Sequence, residues 1–297
     1  MSTAANTIPP GLLEPPLVSV CIPVYNGVRF VAETIRSVVA QGCPRMEIIV
    51  QDNASTDGTW QLLGELAGSY PQLSLARNER NIGMTPNWNR AVNRARGDYV
   101  MLLSADDLLE PGFLDACLTV FAREQVDVVT TNHFWLRDGE KKQRKMKIEP
   151  GIHQDFSSMV LLKNPFSINF SLFSRSAIEQ MRVRGNLFAV NYFSCDYDLW
   201  LRLALAGKRI HYLDEPLGTY RVHADNLSRH TMRMHRQAAL VVLRHRRELV
   251  QSAGSAYRLT LLRFLYRMLS CRVRLHLFDG RQFRLLWGRL RASVAAS

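Results

Sequence analysis

The chain lacks the sequence features that mark several classes of protein. No run of about 18 consecutive apolar residues occurs, so we predict no transmembrane helix. The five cysteines form neither a Cys-x-x-Cys pair nor a zinc-like spacing, which favours a reducing compartment over a disulfide framework. The N-terminus has no basic segment followed by an apolar one, so we predict no secretory signal. We therefore expect a cytoplasmic protein that reaches a membrane only peripherally.

Negative charge is scarce in the last quarter of the chain. Residues 229–297 contain 15 arginines, no lysine and two acidic residues, a formal net charge of +13. Because the whole chain carries +12, residues 1–228 carry −1. This asymmetry indicates a polyanionic partner, which could be a phospholipid surface or a nucleic acid.

Strand-like and helix-like segments alternate through the first half of the chain. They predict strands at 17–24, 46–51, 73–76 and 97–103, and helices at 28–41, 58–69, 87–95 and 111–123. Such alternation is typical of an α/β fold in which helices flank a mostly parallel sheet. We predict an extended lead-in at 1–15, one large domain over 16–228 and a helical, Arg-rich amphipathic region at 229–297.

Two adjacent carboxylates follow the last of these strands. Asp106 and Asp107 come directly after Ser104 and Ala105. Neighbouring carboxylates repel one another unless solvent or a cation screens them, and divalent cations are commonly shared with the phosphates of a substrate. Capping of the helix near Pro111 is the alternative for Asp107. Since one cap does not explain two acids, the pair is a candidate site for a metal and a diphosphate.

Three other segments complete a pattern. The first predicted strand ends in Pro-Val-Tyr-Asn at 23–26, the second runs into Asp52, and Cys-Asp at 195–196 lies far downstream. In this order and spacing the chain resembles family-2 inverting glycosyltransferases of the bacterial surface-polysaccharide type, over roughly residues 16–228. The resemblance implies the GT-A (Rossmann-like) fold.

The resemblance also implies a pocket for a nucleoside-diphosphate sugar at the carboxyl ends of the strands. Tyr25 would contact the base, Asp52 would accept its imide N–H, and Arg221 would donate to the diphosphate. The residues expected to line this pocket are Pro23, Tyr25, Asn26, Asp52, Asn81, Gly83, Asn87, Ser104, Ala105, Asp106 and Arg221.

Turn formation and helix capping are the alternative roles for part of this set. Asp52 and Asp57 could both act in that way, and we assign only Asp57 to it. Turn chemistry is also the alternative for Asn81 and Gly83.

A cofactor, Mg²⁺ or Mn²⁺, is implied on the diphosphate, held by Asp106 with Asp107 and His223. The family's usual motif is Asp-x-Asp, but its first position is Ser104 here, and a hydroxyl is a poorer ligand than a carboxylate. For Arg221 and His223, ordinary hydrogen bonds that fix their loop are an equally favoured interpretation.

Asp196 matches the catalytic base of the family, although Cys195 replaces the Glu that usually precedes it. An inverting transfer needs a carboxylate that removes the proton of the acceptor hydroxyl. Capping of the helix predicted at 196–206 is the alternative for Asp196 and Asp198, because acids are common in first turns. We assign catalysis to Asp196 and a structural role to Asp198.

Two further segments have no catalytic motif. Residues 137–147 combine dense charge with an Asp-Gly turn signal and predict a solvated hairpin or loop, with acceptor binding as the less favoured alternative.

Beyond Leu227 the pattern predicts helices with breaks near Gly254 and Gly280. Arginines among bulky apolar residues fit either docking on an anionic membrane or packing on the domain or on a second subunit, and the resemblance favours docking because the family often works on lipid-linked acceptors.

We therefore predict an inverting, metal-dependent transfer of sugar to a hydroxyl acceptor, a lipid-linked cell-surface glycan at the inner face of the cell membrane. The alternatives are a non-catalytic nucleotide-sugar-binding homologue, suggested by Ser104 and Cys195, and a nucleic-acid-binding protein that uses its basic region. No nucleic acid is expected as a partner, because the basic region has no zinc-finger, helix-turn-helix or RNP motif. The sequence leaves open whether the chain forms a homo-oligomer.

Overall fold

A computed structural model describes residues 17–189, 194–224, 226, 231–275, 288–289 and 292. The predicted lead-in at 1–15 and the predicted break near Gly280 lie outside these residues. The chain divides into two compact units. The first comprises Met1–His153, Phe166–Phe188 and Arg209–Ala224, and the second comprises Gln154–Pro165, Ala189–Lys208 and Asp225–Ser297.

Strands and helices alternate along the described chain. The strands are β1 Val18–Val24, β2 Met46–Asp52, β3 Leu73–Arg77, β4 Tyr99–Leu102, β5 Leu108–Leu109, β6 Val128–Arg137, β7 Glu140–Gln143, β8 Gly151–His153, β9 Ser171–Ser174 and β10 Ile210–Val222. The helices are α1 Val31–Val39, α2 Thr59–Ser69, α3 Met84–Arg94, α4 Phe113–Arg123, α5 Ser157–Lys163, α6 Arg175–Gln180, α7 Cys195–Leu205, α8 Thr231–Arg244 and α9 Arg246–Leu275.

All these strands belong to one sheet in the first unit, in the order β3-β2-β1-β4-β9-β6-β10-β5, with β7 beside β6 and β8 beside β10. Strands β1 to β4 pair in parallel, and β6 pairs in parallel with β10. Strand β9 lies between β4 and β6 and is antiparallel to both, so the two parallel groups run in one direction. The predicted α/β fold with a mostly parallel sheet is therefore confirmed.

The central strands are buried because both of their faces are covered. Every residue of β1 is buried, as its run of Val, Cys, Ile and Pro, interrupted only by Ser19, predicts. Pro23 is tolerated in this central strand because the pairing of β1 with β4 ends at Cys21. The carbonyl of Val24 accepts from Asn53 on the β2 side, so the missing N–H of Pro23 faces the side where pairing has ended.

Strand β10 is longer than predicted. The sequence predicts two short strands at 209–213 and 217–222, whereas the structure has one strand of 13 residues. Register shifts between Leu213 and Pro216 and between Pro216 and Gly218 absorb the polar interruption that divides the sequence pattern. The continuous strand joins β8 at one end to β5 farther along.

The predicted Asp-Gly turn is present. Asp138 and Gly139 have φ angles of +50° and +81° and connect β6 to β7 as a hairpin. Positive φ at both central residues matches the right-handed twist of paired strands. All four residues of β7 are exposed, so the prediction of a solvated hairpin is confirmed.

The second unit is helical in its described part. Helix α9 packs against α5, α7 and α8. It contains a non-helical residue at Ala253, which confirms the break predicted near Gly254. Within the described residues, no helix is both long and apolar enough to cross a membrane.

Candidate active site

Asp106 and His223 meet at the carboxyl end of the sheet. Asp106 lies in the loop between β4 and β5, and His223 follows the last residue of β10. Nε2 of His223 is 2.9 Å from Oδ2 of Asp106, and both side chains are partly exposed. The sequence prediction that grouped these two residues therefore agrees with their positions.

An aromatic ring and a cation adjoin this pair. The rings of Phe30 and His223 have centroids 5.0 Å apart, and the guanidinium carbon of Arg221 lies 5.1 Å from the centroid of Phe30. Arg221 also forms an ion pair with Glu33. A carboxylate, an imidazole and a guanidinium thus share one partly exposed end of the sheet, a combination suited to a metal-bound anion. Phe30 and Glu33 carry no signal in the sequence, because they lie at the start of an ordinary amphipathic helix.

Asp107 occupies a different environment from Asp106. Its residue is 1% exposed, and its two carboxylate oxygens accept from Nδ2 of Asn169 at 2.6 Å and from the backbone N–H of Arg221 at 3.0 Å. Burial, reinforced by the charge of Asp106, raises the pKa of Asp107 well above its ordinary value. The contacts are those of a residue that positions the loop and Arg221, rather than of the metal ligand predicted from sequence.

The alternative that Asp107 caps a helix is wrong. Helix α4 begins after Gly112, whose φ of +85° favours glycine, and no side chain caps it. Asp107 instead precedes β5, which pairs with Gly218–Thr219 of β10.

The loop that carries Asp106 is fixed by two polar residues. The backbone N–H and Oγ of Ser104 donate to Oδ1 of Asn169 at 3.3 and 3.0 Å. Oγ1 of Thr34 donates to the carbonyls of Ala105 and Asp107 at 2.9 and 2.8 Å. Neither Asn169 nor Thr34 is singled out by the sequence, because each acts through contacts more than 60 positions away.

The segment that ends β1 is held in an unusual backbone conformation. Asn26 has a φ of +52°, and its Oδ1 accepts from the N–H of Thr56 at 2.9 Å. Its own N–H donates to Oγ of Ser55 at 2.9 Å. Tyr25 is 48% exposed beside it, whereas Pro23 is buried within β1. Of these residues, Tyr25 and Asn26 present surface to a ligand.

Asp52 is fully buried at the end of β2. Its Oδ2 is 3.0 Å from Nε of Arg77, and Ser55 donates to the same carboxylate through its backbone N–H. An N–H of the nucleotide base would therefore have to share a carboxylate oxygen of Asp52 with Arg77 or Ser55. Asp57 accepts from the backbone N–H groups of Thr59 and Val28, which confirms the structural role predicted for it.

Asn81, Gly83 and Asn87 belong to a network of amide groups. Oδ1 of Asn81 accepts from Nδ2 of Asn53 and from the N–H of Gly83, both at 2.9 Å. Asn87 is buried, and its Nδ2 donates to the carbonyl of Gln51 at 3.0 Å. The contact between Asn81 and Gly83 is turn chemistry, and the network joins the turn before α3 to the end of β2.

The residues that could hold a divalent cation are few. Within the described part of the chain, no three His, Cys, Asp or Glu side chains come together as a cluster. Asp106 and His223 offer one carboxylate and one imidazole within 2.9 Å of each other. Mg²⁺ and Mn²⁺ commonly take one or two protein ligands and complete their shell with substrate phosphates and water. The two side chains fit that kind of site.

Asp196 lies in the second unit, in the first turn of α7. The residue is half-buried. Burial of its carboxyl group raises the pKa of Asp196 above its ordinary value, and this effect outweighs the lowering by hydrogen bonds from the backbone N–H groups of Tyr197 and Asp196. The N-cap residue that precedes α7 is Ser194, and its side chain makes no capping hydrogen bond. Asp196 is therefore not the N-cap residue, but its carboxylate accepts from first-turn backbone N–H groups, so a structural role at the helix start stays the alternative to catalysis.

Asp198 is buried two residues further along α7. Its oxygens contact Nε of Arg202 at 2.8 Å and Nε2 of His245 at 3.0 Å. Burial alone would raise the pKa of Asp198, but the hydrogen bond from His245 and the charge of Arg202 outweigh it and hold the pKa below its ordinary value. The structural role predicted for Asp198 is confirmed.

The chain is similar in sequence to known proteins. The family model described as Glycosyl transferase family 2 matches residues 19–182, more than half of the chain. A chondroitin synthase of Pasteurella multocida is 29% identical over 216 residues, which cover 72% of this chain and 21% of that protein. The chain thus spans about a fifth of that relative's length.

Solved structures share the fold. S. aureus TarS 1–349 in complex with UDP-GlcNAc has a TM-score of 0.74 at 18% identity, over 94% of this chain and 81% of that one. A mannosyltransferase of Pyrobaculum calidifontis in complex with GDP-Man and Mn²⁺ has a TM-score of 0.61 at 18% identity, over 95% and 87%.

Proposed function

Since the chain belongs to glycosyl transferase family 2, we propose that it transfers a sugar from a nucleoside-diphosphate donor to a hydroxyl acceptor, with inversion at the anomeric carbon. The observation that carries the proposal is the 2.9 Å contact between His223 and Asp106 beside Arg221. Such a group of side chains suits a diphosphate that leaves with a bound cation. We keep residues 16–228 as the catalytic region of this proposal.

Asp106 and His223 are the residues that would hold Mg²⁺ or Mn²⁺. The ion would neutralise charge that develops on the leaving diphosphate. Arg221 supplies a fixed positive charge on the same side, stacked on Phe30 and paired with Glu33. Asp107 holds the backbone N–H of Arg221 and so keeps the loop and the strand together. The solved mannosyltransferase with GDP-Man and Mn²⁺ supports this choice of cofactor by analogy.

The donor nucleoside is assigned to the neighbouring ends of β1 and β2. The exposed ring of Tyr25 offers a flat apolar surface for a base. Asp52 would accept the base N–H, in competition with Ser55 and Arg77. The remaining lining of this pocket is assigned to Pro23, Asn26, Asn81, Gly83, Asn87, Ser104 and Ala105.

Asp196 is assigned as the general base. It removes the proton of the acceptor hydroxyl while that oxygen forms a bond to the anomeric carbon. The bond from the anomeric carbon to the diphosphate oxygen breaks, and the nucleoside diphosphate leaves with the electron pair. A carboxylate whose pKa burial raises is a stronger base than a solvated one.

A lipid-linked glycan at the inner face of the cell membrane is the acceptor that we propose. Support comes from the basic region at 229–297, which carries a formal charge of +13 and suits an anionic lipid surface. Cosedimentation of the full chain with anionic and with zwitterionic vesicles tests this part. Equal binding to both kinds of vesicle, or to neither, would remove it.

The donor is identified by a thermal-shift screen of nucleotide sugars with and without Mn²⁺. We expect one nucleoside diphosphate sugar to raise the melting temperature, more strongly with Mn²⁺. A screen in which no nucleotide sugar stabilises the protein would refute the proposed function. NMR of the transfer product then gives the anomeric configuration, and retention of configuration would refute inversion.

Asp196→Asn separates binding from chemistry. The variant should bind the donor as the wild type does and lose transfer by roughly 100-fold or more, because it cannot take the proton. Asp155→Asn, an exposed acid of the second unit, is the matched control. Wild-type turnover in the Asp196 variant would exclude it as the base.

A further inference from the structure

Three side chains on the neighbouring strands β7, β6 and β10 form a row across the sheet. Lys142 of β7 pairs with Trp135 of β6, and Trp135 pairs with Tyr220 of β10. Residues opposite each other on neighbouring strands project from the same face of a sheet. The rings of Trp135 and Tyr220 lie 5.1 Å apart with an edge-to-face angle of 64°. The row therefore presents a cation and two aromatic rings side by side.

The outer part of this row is open to solvent. Trp135 is 39% exposed, and the side chain of Lys142 is 77% exposed. The ion pair of Lys142 with Glu140 is itself exposed, and such pairs contribute little free energy. Lys142 can therefore exchange Glu140 for the anion of a ligand at little cost.

A buried imidazole lies beside the row, two residues before Trp135 on β6. His133 lies with its ring 5.7 Å from Trp135 and 5.0 Å from Phe170. Burial, followed by the charge of Arg144, lowers the pKa of His133 to about 3, so the ring is neutral. Among the described residues, none forms a hydrogen bond with its Nδ1. A buried polar atom without a partner costs free energy, and in native structures such an atom calls for an explanation beyond packing.

The hairpin around the row is strongly basic. Residues 137–147 include six basic residues and two acidic ones. The whole of β7, which includes Lys141 and Lys142, is exposed to solvent. Lys141, on the opposite face of β7, pairs with Glu110, which leaves Lys142 as the lysine beside Trp135. The surface is therefore complementary to a negatively charged partner.

The row is close to the candidate metal residues along the chain. Tyr220 directly precedes Arg221, and His223 lies three residues beyond it. Because a strand rises about 3.3 Å per residue, the distance along β10 is on the order of 10 Å. Because successive side chains of a strand point to opposite faces, Arg221 projects from the face opposite Tyr220, and a saccharide chain bound at the diphosphate reaches the row by passing over the end of β10.

We propose that Lys142, Trp135 and Tyr220 form an acceptor subsite for an anionic glycan. One sugar ring of the glycan stacks on Trp135, and a carboxylate or phosphate of the chain pairs with Lys142. Aromatic side chains bury large flat surfaces at low entropic cost, and a lysine ammonium binds either kind of anion. The subsite rests on the proposed sugar transfer and defines the class of its acceptor.

The test measures glycan binding by calorimetry with the full chain. The probes are oligogalacturonate, which carries carboxylates, oligo(glycerol phosphate), which carries phosphates, and neutral dextran oligomers. We expect an anionic probe to bind and dextran to bind more weakly. Trp135→Ala and Lys142→Ala should each weaken binding of that probe by about tenfold, the factor expected for one contact of 1.4 kcal/mol.

Conservative and remote substitutions serve as controls. Trp135→Phe and Lys142→Arg should keep most of the affinity, because the ring and the charge remain. Ile152→Ala on β8 removes a side chain that is 40% exposed, and Arg36→Ala removes an exposed cation of α1. Both of these should bind the anionic probe as the wild type does.

Separate readouts distinguish this proposal from the proposed function. Nucleotide-sugar binding should be unchanged in Trp135→Ala and Lys142→Ala, so a wild type that binds no donor refutes the transfer reaction rather than the subsite. The subsite is overturned if no anionic probe binds the wild type, or if both alanine variants bind it normally. It is also overturned if the two variants lose affinity for anionic lipid vesicles and not for the glycans.

Discussion

Nε2 of His223 lies 2.9 Å from Oδ2 of Asp106, although 117 positions separate the two residues in the chain. The pairing of β5 with β10 brings them together, because Leu108 pairs with Thr219 directly after the loop of Asp106. The loop thereby crosses from the end of β4 to the end of β10. A cation ligated by both residues would connect two strands that are not neighbours in the sheet.

The first prediction concerns this pair. Asp106→Asn and His223→Ala should each weaken Mn²⁺-dependent donor binding by about 10- to 100-fold, a range known for disturbing even the outer shell of a metal site. Thermal shift at increasing Mn²⁺ concentration measures the change. Asp138→Asn and His153→Ala, which alter the same residue types in the β6–β7 turn and in β8, should leave it unaffected. Donor binding that stays Mn²⁺-dependent with unchanged affinity in both variants would show that other groups hold the ion.

A second prediction separates the roles of the two adjacent carboxylates. Asp107→Asn places an amide N–H₂ against the N–H₂ of Asn169, because Oδ1 of residue 107 must still accept from Arg221. The free energy of unfolding should fall by about 1–3 kcal/mol, the usual cost of an unsatisfied buried polar group. Urea denaturation measures it.

The exchanged pair is the control for that prediction. In Asp107→Asn combined with Asn169→Asp, the donor and acceptor are reversed and Ser104 still finds an oxygen at position 169. We expect most of the lost stability to return. A double variant as unstable as the sum of the two single ones would contradict the assigned hydrogen bond.

The sequence predicts the parts of the site that lie at strand ends. Tyr25, Asp52 and Asp106 follow apolar runs, and parallel strands bring their carboxyl ends to one edge. It does not predict Asn169 or Thr34, because a polar residue that accepts or donates across the fold leaves no periodic signal. Nor does it show that the side chain of Asp107 points inward, since two adjacent aspartates look the same in sequence whichever way each side chain faces.

The limits of the fold prediction have a similar origin. Helix α3 begins at Met84, three residues before the predicted start at Asn87, because Asn87 and Asn89 are buried polar residues that obscure the apolar face. The sequence predicts two strands in place of β10 because Asp214, Glu215 and Pro216 interrupt its pattern. Long-range pairing with β6 overrides that local signal.

The third prediction is a dependence of stability on pH. The pKa of Asp198 is held below its ordinary value in the folded protein, whereas an unfolded Asp titrates near about 3.9. Its contribution to stability is therefore present above that pH and is lost as the pH falls through the lowered pKa. Asp198→Asn should remove this contribution and cost about 3–5 kcal/mol, because it breaks a buried ion pair with Arg202.

Glu248→Gln is the matched control for Asp198, because Glu248 is an exposed acid in the first turn of α9 in the same unit. Thermal melts between neutral and acidic pH should show an acid-dependent loss in the wild type and in Glu248→Gln, and a smaller one in Asp198→Asn. Identical pH profiles for all three proteins would contradict the assigned ionisation.

The fourth prediction tests a close contact that supports the site from within the sheet. A Cβ atom added at Gly218 would clash with a ring carbon of Phe170, which is fully buried and follows Asn169. Gly218→Ala should therefore lower the free energy of unfolding by about 1–3 kcal/mol through overpacking, and displace the residue that holds Ser104 and Asp107. Donor binding should weaken as Asn169 is displaced.

The same substitution at Gly64 in α2 is the control. An added Cβ atom there meets no atom within 4 Å and should instead stabilise the protein by about 1 kcal/mol, since alanine favours a helix. Equal stability of the two variants in urea denaturation would show that Phe170 can move aside freely and does not position Asn169.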